Sequence, residues 1–350
     1  MTEIKRDSSR GKAAMRWLFA VLFIVAVVVS GAFSGLMNKA GLLYLVLGCV
    51  AAALMGFTAR EIGTAVRQAA GGAGTEESLG KSAHFWEAAA RNAWILGALG
   101  SALNFTIVLG TQSEGLEDTS VRMIQSFIVT LYGLVLAVVC LVPAMKLAGR
   151  AEEIRRQGGE RPAPDAGGSS RIAGRTLIPD RIIGYVLFAA VLVLTVLFLI
   201  GGQPQSGPLS VGKILFHGPA ILIILGGAIA LALFMGAGAG ARAWTLGFAM
   251  TGLIGLLTGL IQAVFGFAHK NIAEIAAALA FIISASSLSL LGLVAVAAPL
   301  EDREIMDGRR EKPGPLSRLF WAVFPLLTFI FLILTFIMVV TPMVKPGGKG

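Results

Sequence analysis

Charge is scarce in this chain, and the places that lack it say most. Asp, Glu, Lys and Arg make up only 14% of the 350 residues, where a soluble domain carries about 25%. Nine stretches contain none of them: about 17–33, 41–57, 93–110, 123–145, 182–200, 214–235, 244–267, 275–298 and 319–340. Uncharged apolar runs of this length read as membrane spans. A mean hydropathy of +0.80 agrees with that reading. Cysteine is nearly absent. Cys49 and Cys140 both fall inside apolar runs, so they read as small buried apolar groups without disulfide or metal spacing. The three histidines, His84, His217 and His269, are dispersed. No metal site, cofactor motif or nucleophile–base pairing emerges, and no enzyme is expected. "GAGAGAR" (236–242) lacks the Lys-Ser/Thr of a phosphate loop and reads as a tight turn.

The charge that is present sits between the runs. A net charge of +9 could suggest nucleic acid. Most of the 29 Lys and Arg, however, fall in segments that share one side when the N-terminus is placed in the cytoplasm. That asymmetry predicts a nine-span, multi-pass protein in a lipid bilayer, with the C-terminus outside and no nucleic-acid partner. "VVVSGAFSG" offers a cleavage-like end to the first run. An uncleaved anchor is expected, because the repeat below needs that span.

The expected organisation is a basic cytoplasmic tail (1–16), a first four-span unit (17–149) and a Gly-, Pro- and Arg-rich cytoplasmic linker (150–181). A second four-span unit (182–300), a cytoplasmic loop (301–318), a ninth span (319–341) and an outer tail (342–350) follow. Within loop 58–92, "TAREIGTAVRQAA" has helical spacing, "GGAG" breaks it, and "EESLGKSAHFWEAAARNA" resumes it. Asn271 and Glu274 have the spacing of a helix cap.

The two units resemble each other. "LGALGSALNFTIVLG" parallels "TGLIGLLTGLIQAVFG", matching Gly97 and Gly100 with Gly252 and Gly255. "TLYGLVLAVVCLVPAMK" parallels "SLLGLVAVAAPLED", matching Thr130 with Ser289 and Gly133 with Gly292. Pro143 and Pro299 are each expected to end their helix, three residues out of step. Four spans per unit leave both copies in one orientation, so the repeat is parallel. The fold class is therefore all-α: a polytopic membrane protein of two four-helix repeats plus one C-terminal helix. The six glycines read as close-packing positions between helices.

"GLIGLLTGLIQAVFG" and "TLYGLVLA", in this order and topology, resemble the third and fourth spans of the MotA/TolQ/ExbB proton-channel family, once in each unit. "GPAILIILGGAIALALF" (218–234) resembles its second span. The resemblance implies a ring of helices, a homo-oligomer in the bacterial inner membrane, around a single-span partner of the ExbD/TolR/MotB kind. That partner brings a membrane aspartate, and hydroxyls from the ring face it. Thr130, Ser289 and Ser101 would be such hydroxyls. Leu256 stands at the position of Ser101 in the second unit, and Thr258 lies on a different face. Asn104 and Gln262 are costly in lipid and should face protein or water. Each hydroxyl has an equally physical alternative, bonding its own backbone or a neighbouring helix.

"PLLTFIFLILTFIMVVTP" (325–342) resembles the partner's own membrane segment, with Thr328 in place of its aspartate. A threonine does not titrate, and no ionisable group is expected at depth, so any proton-carrying acid must come from another subunit. Two functions follow: a subunit coupling an ion gradient, a proton gradient by the resemblance, to work outside the membrane, or a non-conducting scaffold of the same descent. A secondary transporter with parallel repeats ranks last, because the runs are poor in polar groups.

Overall fold

The computed structural model describes residues 39–110, 116–157, 178–201, 217–235, 240–269, 272–308 and 315–344. The run at 17–33, Asn271 and most of the 150–181 linker lie outside them. The described elements are all helices: α1 (Lys39–Gly56), α2 (Ala59–Ala69), α3 (Glu76–Gly110), α4 (Leu116–Gln157) and α5 (Ile178–Gly201). Next come α6 (Gly218–Met235, π-helical over Leu222–Gly226), α7 (Gly240–Ala268) and α8 (Ile272–Gly292). A π-helical turn (Leu293–Ala297) leads into α9 (Ala298–Met306), and α10 (Pro315–Val344) follows. Four stretches are long and apolar enough to cross a membrane: Ser126–Arg156, Gly218–Met235, Gly240–Gly266 and Glu274–Met306. The α1–α2 pair, bent by 113°, would make a fifth. Arg181–Thr195 and Leu319–Leu334 are shorter apolar helical stretches.

Two antiparallel hairpins organise the helices. In the first, α3 lies against α4 with Gly97 facing Gly133. A Cβ added to Gly97 would sit 2.9 Å from the Cα of Gly133, and one added to Gly133 would meet Ala93 O at 2.6 Å. Only glycines allow this backbone approach. In the second hairpin, α7 lies against α8. There Gly252 faces Ser289, Gly255 faces Ala285, and Gly292 faces the ring of Phe248. By sequence Gly252 corresponds to Gly97 and Gly292 to Gly133. The contacts correspond: Gly292 meets Phe248 where Gly133 meets Ala93, and Gly252 meets Ser289 where Gly97 meets Thr130 O, but in the second hairpin side chains stand nearest the glycines.

One apolar core runs through both hairpins, including Leu96, Phe105, Phe188, Phe248, Phe281 and Phe324. α1 joins it through Tyr44, which meets Gly100, and α5 through Gly184, whose added Cβ would lie 2.7 Å from Met55 N. α10 touches both hairpins. The ring of Phe329 lies edge-on to Phe127 of α4 at 5.4 Å, Trp94 Nε1 donates to Ala322 O at 3.3 Å, and Phe324 meets Gly252. Outward faces are apolar: Leu222, Leu233 and Phe234 of α6 are 75%, 77% and 88% exposed.

Neither proline ends its helix, which corrects the expectation from sequence. α4 passes through Pro143 and continues to Gln157. The extension has work to do. Leu147 is fully buried with Leu79 and Ala83, Lys146 donates to Ala69 O, and Arg150 donates to Gln68 O and Gly72 O. Two cations thus cap the C-terminus of α2. Pro299 is accommodated by the π-helical turn before it, where the Ala298 N–H donates to Leu293 O, five residues back. The 150–181 linker is also shorter than expected, since α4 and α5 extend into both of its ends.

Candidate functional site

The hydroxyl positions separate by hairpin. Ser101 Oγ donates to Ser126 O at 2.5 Å, lies 2.6 Å from Thr130 Oγ1 and accepts from Thr130 N–H at 3.1 Å. Thr130 Oγ1 also reaches Gly97 O at 3.3 Å. These groups are buried and cross-link α3 to α4. Ser289 and Thr328 are each 0% exposed, and neither hydroxyl has a hydrogen-bond partner. Thr328 therefore does not bond its own backbone. Asn104 and Thr258 are half-buried, and Gln262 lies exposed on the outer face of α7 beside Ile261 and Phe265. The structure thus brings Ser101 and Thr130 together, sets Ser289 beside Gly252, and leaves Gln262 apart.

A second cluster lies at the end of the bundle where α3, α7 and α10 begin and α9 ends. Its hub is "LEDRE" (300–304). Arg91 of α3 donates from Nη2 to Asp302 Oδ2 at 2.6 Å, and its Nη1 lies 3.5 Å from Glu301 Oε2. Trp321 Nε1 of α10 donates to the same Glu301 oxygen at 2.7 Å. The Arg91 guanidinium also stands over the Trp321 ring, 4.6 Å from its centroid, a cation–π arrangement. His84 Nε2 lies 3.2 Å from Asp302 Oδ1, without hydrogen-bond alignment. The carboxylate side chains are 1% exposed and those of Arg91 and His84 10%.

Local structure explains the convergence. His84 and Arg91 are two turns apart, so they share one face of α3. Gly56 ends α1 beside Asp302; a Cβ there would sit 3.2 Å from Oδ2. The chain then turns through Phe57, whose ring lies 6.0 Å from that of His84, into the Thr58–Glu61 capping box of α2. Glu304 accepts from the Ala241 N–H at 2.8 Å, placing a carboxylate at the N-terminus of α7. Gly240 holds φ +50 there, and any side chain would strike Glu304.

The sequence reading missed this cluster, because it placed Glu301 and Asp302 at the start of a cytoplasmic loop (301–318). One signal was present. Arg91, Glu301 and Trp321 each lie within three residues of the end of an apolar run, so their runs place them at one level. Among the described residues, no three His, Cys, Asp or Glu side chains are grouped to hold a metal.

The arrangement can bind charge, bury it and lock helices; no nucleophile stands beside a general base within it. Family models, curated proteins and solved structures provide no match to this chain.

Proposed function

We propose that this chain is a membrane-embedded helical scaffold descended from the MotA/TolQ/ExbB type, which carries no proton by itself. The observation that supports this most is the placement of α10. It lies against both hairpins, with Phe324 at Gly252 and Phe329 at Phe127. Thr328, at the position of the partner's acid by resemblance, is buried and has no partner. The chain would then occupy with its own helix, uncharged over 319–340, the place where a titrating partner helix docks. The finer topology belongs to the same reading: nine spans as two parallel repeats plus one, in a bacterial inner membrane, with the N-terminus cytoplasmic and the C-terminus outside.

A second reading has its own support. Gln262, with Thr258 one turn before it, is a polar position on an otherwise apolar exposed face of α7. Such groups favour helix neighbours over lipid. Under this reading the face meets another copy or a single-span partner bearing a membrane aspartate, and the complex couples an ion gradient to work outside the membrane.

Proteoliposomes with an internal pH dye separate the two. The purified chain under an imposed potential is expected to give no proton flux above empty vesicles. A flux from the chain alone would overturn the scaffold reading. A flux that appears only with a co-purified acid-bearing partner and is lost in Gln262→Leu would establish the second.

A further inference from the structure

The short helix α2 has three distinct edges. Ala65 and Gln68 are buried, and Ile62 packs with Ala65 in a cluster with Phe57, Phe85 and Trp86. At 100° per residue, Arg60, Thr64 and Arg67 share a polar edge, and Ile62 and Val66 share an apolar edge across the outer face. Val66 is 49% exposed, and Gly63, between the two edges, has open space around it. Arg60 and Arg67 are exposed, and neither guanidinium has an ion-pair or hydrogen-bond partner among the described residues. The one acid of α2, Glu61, is engaged by Thr58 and lies within electrostatic reach of Arg181. The 113° bend after Gly56 sets α2 close to perpendicular to α1. With α1 crossing a bilayer, α2 therefore runs along its surface. Tryptophan, the side chain that favours the membrane interface, marks the depth: Trp86 Nε1 donates to Ala65 O at 3.3 Å.

We propose that α2 is an interfacial helix whose polar edge binds the headgroups of anionic phospholipids in the leaflet at this end of the bundle. Ile62 and Val66 lie toward the acyl boundary, the usual placement for such a helix. The Arg60 and Arg67 guanidinia, two turns and about 10 Å apart, each take a lipid phosphate through charge-assisted hydrogen bonds. Lipids with net negative charge hold such a row more firmly than zwitterionic ones. The row is presented ready-made. The Thr58–Glu61 capping box fixes one end of α2, and Lys146 and Arg150 close the other, so little ordering remains to be done on binding. The inference rests on the chain being embedded in a bilayer, which both readings of its function share, and it is independent of whether ions are conducted.

The test places the full chain in nanodiscs of phosphatidylcholine, with or without phosphatidylglycerol. Recovery of the chain in the nanodiscs checks the embedding separately. Amide hydrogen exchange is then followed over α2. Protection is expected to rise with phosphatidylglycerol by roughly fivefold for each engaged arginine. Arg60→Gln with Arg67→Gln should abolish the rise and leave protection in phosphatidylcholine unchanged. Arg155→Gln with Arg156→Gln, which removes two cations paired with Glu152, should leave the rise intact. A nitroxide at Gly63→Cys, in a chain carrying Cys49→Ala and Cys140→Ala, reads the depth of α2 without touching the arginines. It should be shielded from a water-soluble relaxation agent in phosphatidylglycerol. Protection that ignores lipid charge in the wild type overturns the proposal, as does a nitroxide that reads as fully aqueous. A loss of equal size in both lipids would make the arginines part of the fold, and an equal loss from the Arg155 and Arg156 pair would make the effect one of general surface charge. Either result overturns the site.

Discussion

The two hairpins carry matching residues and use them differently. In α3/α4, glycine meets glycine and Ser101 meets Thr130, so Gly97, Gly133, Ser101 and Thr130 hold the two backbones together, while Gly100 admits Val129 and the Tyr44 ring. In α7/α8, larger side chains stand at the equivalent places: Gly252 lies against Ser289 and the Phe324 ring, and Gly292 against the Phe248 ring. Leu256, where Ser101 would be, is fully buried in the apolar core, and the Ser289 hydroxyl is left without a partner. The first hairpin is closed on itself. The second opens its small-residue face to a third helix, α10. A small residue specifies close approach, but its opposite number decides whether backbone or side chain arrives.

The contrast depends on the clasp that joins the halves, so the largest effect is expected there. Arg91→Ala takes a guanidinium away from two buried carboxylates and should destabilise the chain by about 3–5 kcal/mol, read from unfolding in mixed micelles. An equal loss from the exposed Arg303→Ala would show that burial is not the cause.

Next in size is the glycine contrast. Gly97→Ala forces a methyl group against the Gly133 backbone, which cannot turn aside, and should cost about 1–3 kcal/mol. Gly292→Ala meets a ring that can rotate and should cost less. Thermal unfolding of the two variants compares them directly, and the reverse order would mean that the Phe248 ring yields less readily than the α4 backbone.

The hydroxyls should differ in sign. Thr130→Val removes bonds to Ser101 and Gly97 and should cost about 1 kcal/mol. Ser289→Ala removes a buried hydroxyl that bonds nothing and should be neutral or mildly stabilising.

The smallest effect lies at the surface start of α3. Lys81 holds the Glu77 carboxyl below the usual carboxylate range, mainly by a side-chain hydrogen bond. A lowered value means that the contribution is complete above the ordinary carboxylate range and disappears as acid titrates the group. The side chains are 43% and 79% exposed, so Glu77→Gln should change stability by only a few tenths of a kcal/mol near neutral pH. Any difference from wild type should vanish in strong acid.

Much of the helical framework was legible because apolar runs and their breaks are local. The break at "GGAG" separates α2 from α3, and the runs at 244–267 and 275–298 lie within α7 and the α8–α9 stretch. Local rules failed where distant partners decide. Pro143 does not stop α4, because Leu147, Lys146 and Arg150 beyond it find partners near the end of α2. Local rules also missed the burial of charge just beyond the edge of the run. Glu301 and Asp302 look solvated in sequence and are enclosed by residues more than two hundred positions away in α3, and by α10. The different nearest neighbours of Gly97 and Gly252 were invisible for a related reason: matching letters between two segments gives correspondence, not contact.

The π-helical turn at Leu293–Ala297 gives α8–α9 something like a vernier. One residue is wound in without breaking the rod, and everything after it is rotated by roughly 100° relative to an unbroken α-helix. Glu301 and Asp302 lie downstream of that adjustment. Deleting a single residue there would keep a continuous helix and the same composition, yet aim both carboxylates at a different neighbour. The chemistry at the end of the bundle is therefore set by a count of residues about one to two turns before it.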